Sequence, residues 1–396
     1  MKKMGLMLCF AVFFGFVFAI GGVSSIYAQE SDTGEFELEE ITVTAQKRAE
    51  NSQRVPIQMD VITGEDLLGT EKDNVDDILR DVSNIVINKY DDGMRITLRG
   101  QADDIPVAGG IKASSPTVSV NIDGAFTNET AGGQNLFDLE RIEVLAGPQS
   151  TIYGSNSPGG VVNVVTARPK TDRFEVNASA EFGNYGLLDG QLVVNVPILK
   201  DKLAMRLSTK WYERDSWIEG AENSQENKTV RFKTTFQPDS FFDATITLGW
   251  SEQSSGGRLN GNVRLFDHED GVWANEFSDH VRTPVTNPWT TSDWGAPETT
   301  GAMSQDAVSK SVQLDLNIDV PFGTITLIPS YSEREAEDLR NDFEVLDADG
   351  NTVWTEAYTE NFNVQEGADV RIVSSPDFAF KWIIGGTWHD SNRQNN

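Results

Sequence analysis

A small α/β domain followed by the strands of an antiparallel transmembrane β-barrel is the architecture that this 396-residue sequence predicts. Three observations predict it. Short strand-like and helix-like runs alternate between residues 55 and 166. From Phe174 onward the chain keeps period-two alternation of apolar and polar residues, in runs of about ten residues. The connections between those runs switch between tight turns and long loops, as the two ends of an outer-membrane barrel require.

The first residues read as an export signal. Met1 is followed by Lys2 and Lys3, an apolar run from Leu6 to Ile20, and small residues up to Ala28. That order predicts a secretory signal peptide cleaved after Ala28. Cys9, the one cysteine, lies inside it. The mature chain is then free of cysteine, which excludes a disulfide scaffold and a zinc-thiolate site. Formal charge is -29, and loss of Lys2 and Lys3 makes it -31. Such a surface repels nucleic acid and anionic lipid, so general polyanion binding is excluded. A hydrophobic content of 38% is too low for a helical membrane protein.

Residues 29–40 are acidic and structureless by composition, and then comes Ile41-Thr42-Val43-Thr44-Ala45, a short β-prone peptide between two polar stretches. Periodicity alone favours a strand that joins the domain behind it. The other reading is an extended peptide offered to a partner's sheet edge.

In the α/β unit, Val55–Ile62 reads as a strand. Thr63 caps a short helix over Gly64–Leu68 with Asp66 three residues on, and Asn74–Arg80 reads as a second helix. Ile96–Gly100, Val118–Gly124 and Ile142–Leu145 read as strands. Behind them, alternation is clearest over 174–182, 203–211, 242–250 and 312–320. It is weaker near 187–196, 229–236, 323–333, 360–373 and 378–389, giving about nine strands in all. Aromatics gather near strand ends: Phe182, Trp211, Tyr212, Phe236, Trp250, Tyr331 and Trp388. Long loops are expected over 213–228, 252–307 and 334–359. A sheet in lipid must close, because edge amides find no water there. A small domain ahead of such a barrel belongs inside its lumen.

Asp138–Pro169 (DLERIEVLAGPQSTIYGSNSPGGVVNVVTARP) is similar to the plug signature of TonB-dependent outer-membrane receptors, and Ile96–Gly100 and Val118–Gly124 resemble two further plug strands of that family. Glu39–Ala45 resembles its TonB box. The resemblance implies that Ile41, Thr42, Val43, Thr44 and Ala45 are taken up as an added strand by TonB, which draws energy from the inner membrane. It covers the chain from about Glu39 to its end, closely in the plug and only in architecture in the barrel.

The glycine-rich loop Gly147–Thr166 then has a role. A domain enclosed by a wall must turn tightly, and Gly147, Gly154, Gly159 and Gly160 supply the freedom while Pro148 and Pro158 stiffen the turns. Gly100, Asp123 and Gly124 complete the structural motif. Arg99, Arg141 and Glu143 are candidates for pairing with the polar inner wall, or are ordinary solvated charges. The sequence departs from the family pattern at Ala146, where Arg is usual, and that puts one plug–wall contact in doubt.

Catalytic chemistry is not encoded in any recognisable motif. His268 lies among Asp267, Glu269 and Asp270, a cluster that is ordinary in a solvated acidic loop, and His280 and His389 have no ligand-spaced partner. An exported β-rich hydrolase would need paired carboxylates in a cleft and would not need the plug signature. The chain is therefore read as a non-enzyme without cofactor. Its expected partners are TonB, outer-membrane lipid and an extracellular ligand. Ligand contacts are expected from 103–116, 126–135 and the loops that carry Trp273, Trp289 and Trp294. The resemblance implies a ferric siderophore first, and an oligosaccharide or another bulky nutrient second.

Length gives one further expectation. The family barrel has about 22 strands, and residues 171–396 hold about nine, the last segment, 391–396, falling where a loop is expected. The chain reads as the N-terminal part of a receptor: signal over 1–28, flexible segment with TonB box over 29–54, plug over 55–170 and partial barrel over 171–396. The alternative is a fragment that does not transport.

Overall fold

The computed structural model describes residues 42–44, 47–48, 50–51, 53, 55–67, 78–80, 82–90, 93–101, 104–106, 112–114, 117–127, 137–154, 157–216, 224–259, 264–267, 272–275, 283–284, 302–346, 352–375, 377–378 and 380–395. Within the first third, β1 (Thr42–Val43) pairs antiparallel with β2 (Glu50–Asn51). Then follow β3 (Met59–Thr63), β4 (Ile85–Tyr90), β5 (Gly93–Leu98), β6 (Asp104–Pro106), β7 (Lys112–Ser114), β8 (Val118–Ile122), β9 (Ala125–Thr127), β10 (Leu139–Ala146), α1 (Ser150–Tyr153) and β11 (Gly160–Thr166). The central sheet has the order β3-β10-β11-β8-β9. In it β11 and β8 run parallel, while the other neighbours are antiparallel.

That sheet is held because β10 and β11 bury apolar residues on both faces. Ile142, Val144, Val162 and Val164 are buried with Ile78, Leu79, Ile96, Leu98, Val118 and Val120 in one core. Each large apolar side chain fully enclosed there contributes roughly 1.5–3 kcal/mol. A smaller core on the other side joins Val43, Val55, Leu145, Tyr153 and Val161. The N-terminal strand is thus packed into the domain.

Several sequence-based boundaries move. The strand expected from Val55 begins at Met59, since Pro56 carries no amide to donate. The helix expected after Thr63 is a turn. Thr63 and Asp66 do exchange bonds, Thr63 N to Asp66 Oδ2 at 2.9 Å and Asp66 N to Thr63 Oγ1 at 3.2 Å, but no helical ladder follows among the described residues. Of 74–80, helix is described only at Ile78 and Leu79. The strand expected through Gly124 ends at Ile122, because Asp123 and Gly124 have φ of 49° and 84° and form the tight turn into β9. Two successive positive φ values define a hairpin turn of the kind Asp-Gly favours.

The second part is one antiparallel sheet of nine strands in sequence order: β12 (Glu175–Phe182), β13 (Leu188–Leu199), β14 (Leu203–Arg214), β15 (Gln225–Asp239), β16 (Phe242–Leu259), β20 (Ala302–Val320), β21 (Gly323–Leu346), β22 (Thr352–Ser374) and β23 (Ile383–Asn395). Between β16 and β20, the short strands β17 (Arg264–Asp267), β18 (Val272–Asn275) and β19 (Thr283–Pro284) make a separate sheet. The strand count agrees with the alternation in the sequence. The strands are longer than expected, however. β21 and β22 extend into the loop expected over 334–359, and β23 runs to Asn395 through residues expected to be loop. Those extensions break the strict alternation of apolar and polar residues, so hydropathy does not mark them. Continuous pairing between Asn361↔Asn395 and Val373↔Ile383 holds β23 in place.

Alternation separates two faces. On β14, Ala204, Arg206, Ser208 and Lys210 are buried toward the small domain. The opposite face carries exposed Ile246, Leu248, Val312, Val370 and Ile384. Trp250, Tyr331 and Trp388 flank this apolar band toward one end of the strands. At the other end Phe236 and Phe242 meet edge to face at 6.3 Å. An apolar band between aromatic girdles is the pattern of a wall that faces lipid.

Candidate functional site

The site grows from Glu143, on the central strand β10. It is fully buried, opposite Asn163 in the register of β11. A buried carboxylate must be bonded throughout, and here the N-terminal strand supplies part of the bonding. Thr44 donates from its main-chain N to Glu143 Oε1 at 2.8 Å and from Oγ1 at 3.1 Å. Arg141 Nε donates to the same oxygen at 2.7 Å, and Asn163 Nδ2 to Oε2 at 3.0 Å. Tyr153 OH donates to Thr44 O at 3.3 Å. Of the five residues in the β-prone peptide, Val43 and Thr44 are therefore docked on the α/β domain, Thr42 pairs with Asn51, and Ile41 and Ala45 lie outside the described residues.

The same segment continues to the wall. Lys47 Nζ lies 3.5 Å from Asp369 Oδ2 on β22 and 4.6 Å from the centroid of the Tyr153 ring. Asp369 also pairs with Arg371. Arg48 donates to Trp382 O at 2.6 Å and to Ser374 Oγ at 3.1 Å, near the β22–β23 connection. Burial pulls Lys47 down to about 8, outweighing the attraction of Asp369. The charged form is thus held in place at a cost.

A second set of contacts binds the body of the small domain to the wall. Asp138 accepts from Arg206 Nε at 2.8 Å and Arg206 Nη2 at 2.5 Å, both on β14, and pairs with Ser208. Asp123 accepts from Lys233 Nζ at 2.9 Å on β15, and from Thr166 N at 2.8 Å. Gln313 on β20 donates to Asp123 O at 2.8 Å. Arg168 donates to Asp243 at 2.8 Å on β16 and to Asp315 at 3.3 Å on β20. Burial alone would raise the two domain carboxyls. The cations and donors around them overcome it, so Asp123 and Asp138 stay below the usual carboxylate range.

The candidates from the sequence fall differently. Arg99 is exposed at φ 52° and bonds Gln58. Arg141 pairs with Glu143 and Glu140. Among the described residues, the hydrogen bonds and ion pairs of these three lie within the domain and to Thr44, whereas Asp123, Asp138 and Arg168 reach the wall. Asp138 carried a legible signal, since a short acid before a strand tolerates the left-handed φ of 51° seen there. Arg168 and Lys47 carried none. Ala146 pairs with Gly160 in the strand ladder and donates to Gln58 O at 3.0 Å.

The glycine-rich loop is a set of close approaches. Gly147 N donates to Gly159 O at 2.9 Å, and Gly159 N to Thr117 O at 2.8 Å. A Cβ on Gly160 would lie 2.3 Å from Leu145 O. Pro148 is exposed at the start of the turn, and Gly154 ends α1 at φ 84°. Gly100 turns at φ 74°, and a Cβ on Gly124 would meet Ile328 of the wall at 2.9 Å.

Between the β8–β9 hairpin and the inner face of β15, β16 and β20–β23 lies a cavity of about 200 Å³. Its lining includes Phe126, Ser311, Ser330 and His389, with Lys47, Tyr153 and Asp369 also on it. Phe126 and His389 meet at 4.8 Å between ring centroids. Among the described residues no group of His, Cys, Asp and Glu could hold a metal. His268, His280, Trp289 and Trp294 lie outside the described residues, as do most of 103–116 and 126–135.

Comparison with known proteins places these features. A family model described as "TonB-dependent Receptor Plug Domain" matches residues 51–161. An iron-regulated outer membrane virulence protein of Vibrio cholerae is 32% identical over 147 residues, covering 37% of this chain and 22% of the relative. The ferric yersiniabactin uptake receptor FyuA of Yersinia pestis superposes with a TM-score of 0.62 at 15% identity, over 86% of this chain and 50% of that one. The ferric-catecholate import receptor Fiu of E. coli gives 0.63 at 17%, with the same coverage of 86% and 50%. At such identities the structures show the fold alone. The chain spans about half the length of these receptors, and the V. cholerae match covers 22% of that relative.

Proposed function

We propose that this chain, a TonB-dependent receptor by its plug domain and the sheet around it, takes part in active import of a ferric siderophore across the outer membrane. The observation that carries the reading is the docking of Thr44, beside buried Val43, against Glu143 and Tyr153. A peptide that is a strand at the domain's margin, with its main chain bonded by side chains, is released by breaking few bonds. Once free, it offers its edge to a partner sheet. TonB is that partner in this reading, with the full peptide running from Ile41 to Ala45. Ligand arriving from outside shifts the plug, TonB captures the strand, and tension from the inner-membrane complex moves the plug against the wall.

The relatives support the cargo. The V. cholerae protein is named iron-regulated, and the two structures compared above are named a ferric yersiniabactin uptake receptor and a ferric-catecholate import receptor. The proposed layout is a signal over 1–28, a segment with the TonB box over 29–54, the plug over 55–170 and barrel strands over 171–396. No covalent step is required, so the side chains described above bind, hold and release.

The test is uptake of ⁵⁵Fe-siderophore by iron-limited cells that express the chain, with and without Val43→Pro. Pro removes a main-chain donor and restricts the strand. Uptake is expected to fall to background while surface binding of the same siderophore persists. Undiminished uptake in that variant would overturn the reading.

A further inference from the structure

The register of the wall sets one row of six side chains across its inner face, one from each of β15, β16, β20, β21, β22 and β23. Thr229 lies opposite Ser251, Ser251 opposite Ser309, and Ser309 opposite Arg334. Arg334 lies opposite Asn363, and Asn363 opposite Arg393. Thr229 is two residues from Arg231, which stands opposite buried Ser208, so the row belongs to the face turned toward the plug. All six side chains can donate hydrogen bonds, and none is negative. Neighbouring strands lie about 4.8 Å apart, so Arg334 and Arg393 are separated by about 10 Å across Asn363. Thr229, Ser251, Ser309 and Arg334 also border the cavity beside the β8–β9 hairpin.

In a chain of net charge -29, a row without acid reflects sorting between the two faces. Along β21, Glu333 and Glu335 flank Arg334, and the pleat sends both carboxylates to the outer face. There Glu333 takes Lys310 at 2.8 Å. Glu366 and Asp390 lie in the register row of exposed Tyr331, on the outer face as well. Of the acids on the plug side, Asp123 is paired with Lys233, and Asp369 with Arg371 and Lys47. Arg334 is half-buried and has neither an ion pair nor a hydrogen bond among the described residues. A guanidinium withdrawn from water needs a counter-charge, and the inner face beside it offers none. Asn363 accepts from Ser391 Oγ at 3.2 Å, which leaves its amide group as a donor. Arg393 donates to Asn361 Oδ1 at 3.1 Å and adds a second positive charge to the row.

We propose that this row sorts cargo by charge and takes an anionic chelate that carries several carboxylates. Arg334 grips one carboxylate through its planar fork. Arg393 attracts a second, and the hydroxyls of Thr229, Ser251 and Ser309 bond the oxygens that remain. A neutral or cationic chelate gains nothing from the two guanidinium groups. The inference rests on the receptor reading given above, because that reading supplies the cargo, and it narrows the cargo to one charge class.

The test is equilibrium dialysis of the full chain in detergent against two ⁶⁷Ga(III) complexes. One is the citrate complex, an anionic carboxylate chelate, and the other is the neutral complex of a cyclic trihydroxamate. The citrate complex is expected to bind about tenfold more tightly, and Arg334→Gln should remove that advantage, the loss of one charge-assisted pair. Ser309→Asp places a carboxylate opposite Arg334 and should act in the same way while keeping the guanidinium. Neither change should alter binding of the neutral complex by as much as about twofold, and Glu333→Gln on the outer face should leave both complexes unaffected. Equal binding of the two complexes by the parent, or no binding of the citrate complex, would overturn the row. So would an Arg334→Gln chain that retains the preference. Complete displacement of the citrate complex by inorganic phosphate at about 10 mM would replace the carboxylate chelate with a general anion site. The readout involves neither TonB nor uptake. A missing preference with uptake still lost on Val43→Pro sinks the row and spares the receptor reading; the reverse pattern does the opposite.

Discussion

The main-chain amide of Thr44 donates to Glu143 Oε1 at 2.8 Å, although the two residues are 99 positions apart in the chain. The carboxylate is fully buried and is shared among Thr44, Arg141 and Asn163. Docking of the N-terminal strand and satisfaction of a buried charge are thus one event.

Glu143→Gln should loosen that strand without unfolding the plug. The amide keeps the shape and one acceptor but loses the charge that bonds Arg141. A hydrogen bond to a charged group contributes about 1.5–3 kcal/mol, and a neutral one about half as much. Exchange of the Thr44 amide should accelerate about tenfold, while the amides of Val162 and Val164 in the central sheet keep their protection. Hydrogen exchange read by mass spectrometry separates the two. Unchanged exchange at Thr44 would show that Val43 in its apolar pocket, and not Glu143, holds the strand.

Lys47 gives a pH dependence whose sign differs from that of an ordinary salt bridge. Docked, it titrates at about 8, below its usual 10.5. Between those values the withdrawn segment binds more protons than the docked one, so docking strengthens as pH rises through that window. The gain is at most roughly 3 kcal/mol. Thr44 exchange, corrected for its intrinsic pH dependence, should slow between pH 8 and 10.5. In Lys47→Met the slowing should vanish. Faster exchange on alkalinisation would mean that the Asp369 pair outweighs burial.

Most of the architecture was legible, and the reasons are physical. Alternation along β14 and β16 is forced by lipid on one side and a wet interior on the other, so composition records it. The far ends of β21, β22 and β23 mix polar and apolar residues without a clear period of two, so hydropathy does not mark them as strands. Asp123-Gly124 read as the end of a strand because Gly124 falls at the next position of the alternation, although Asp-Gly there is also a hairpin signal. The positive φ pair that makes it a turn is a backbone property. The plug–wall partners were the least legible. Arg206, Lys233 and Asp243 are spaced as ordinary inward residues, and only the folded register brings them to Asp138, Asp123 and Arg168.

The Asp138–Arg206 pair should be the costlier one to break from the plug side. The two side chains are 7% and 4% exposed, and Ser208 completes the cluster. Asp138→Ala leaves the guanidinium buried without its carboxylate. Loss of one partner of a buried pair costs about 3–5 kcal/mol. Thermal unfolding of the detergent-solubilised chain should fall accordingly, and Asp138→Asn should recover part of the loss. A shift of less than about 1 kcal/mol would indicate that water reaches Arg206 in the lumen.

Gly160→Ala should also be damaging, for a reason confined to the backbone. Gly160 opens β11 at φ 154°, opposite Ala146 in the ladder. An added Cβ would sit 2.3 Å from Leu145 O and 2.4 Å from Leu98 Cδ2. The leucine could turn aside, but the carbonyl belongs to the central strand and cannot move without opening the β10–β11 ladder. That ladder carries Ile142, Val144, Val162 and Val164, the middle of the core. The cost should exceed the roughly 1–3 kcal/mol typical of an overpacked core. Limited proteolysis should cleave the variant within the plug while the wall strands stay intact. A variant as resistant as the parent would show that β11 can shift by a few tenths of an ångström, and that the close approach at Gly160 is not required.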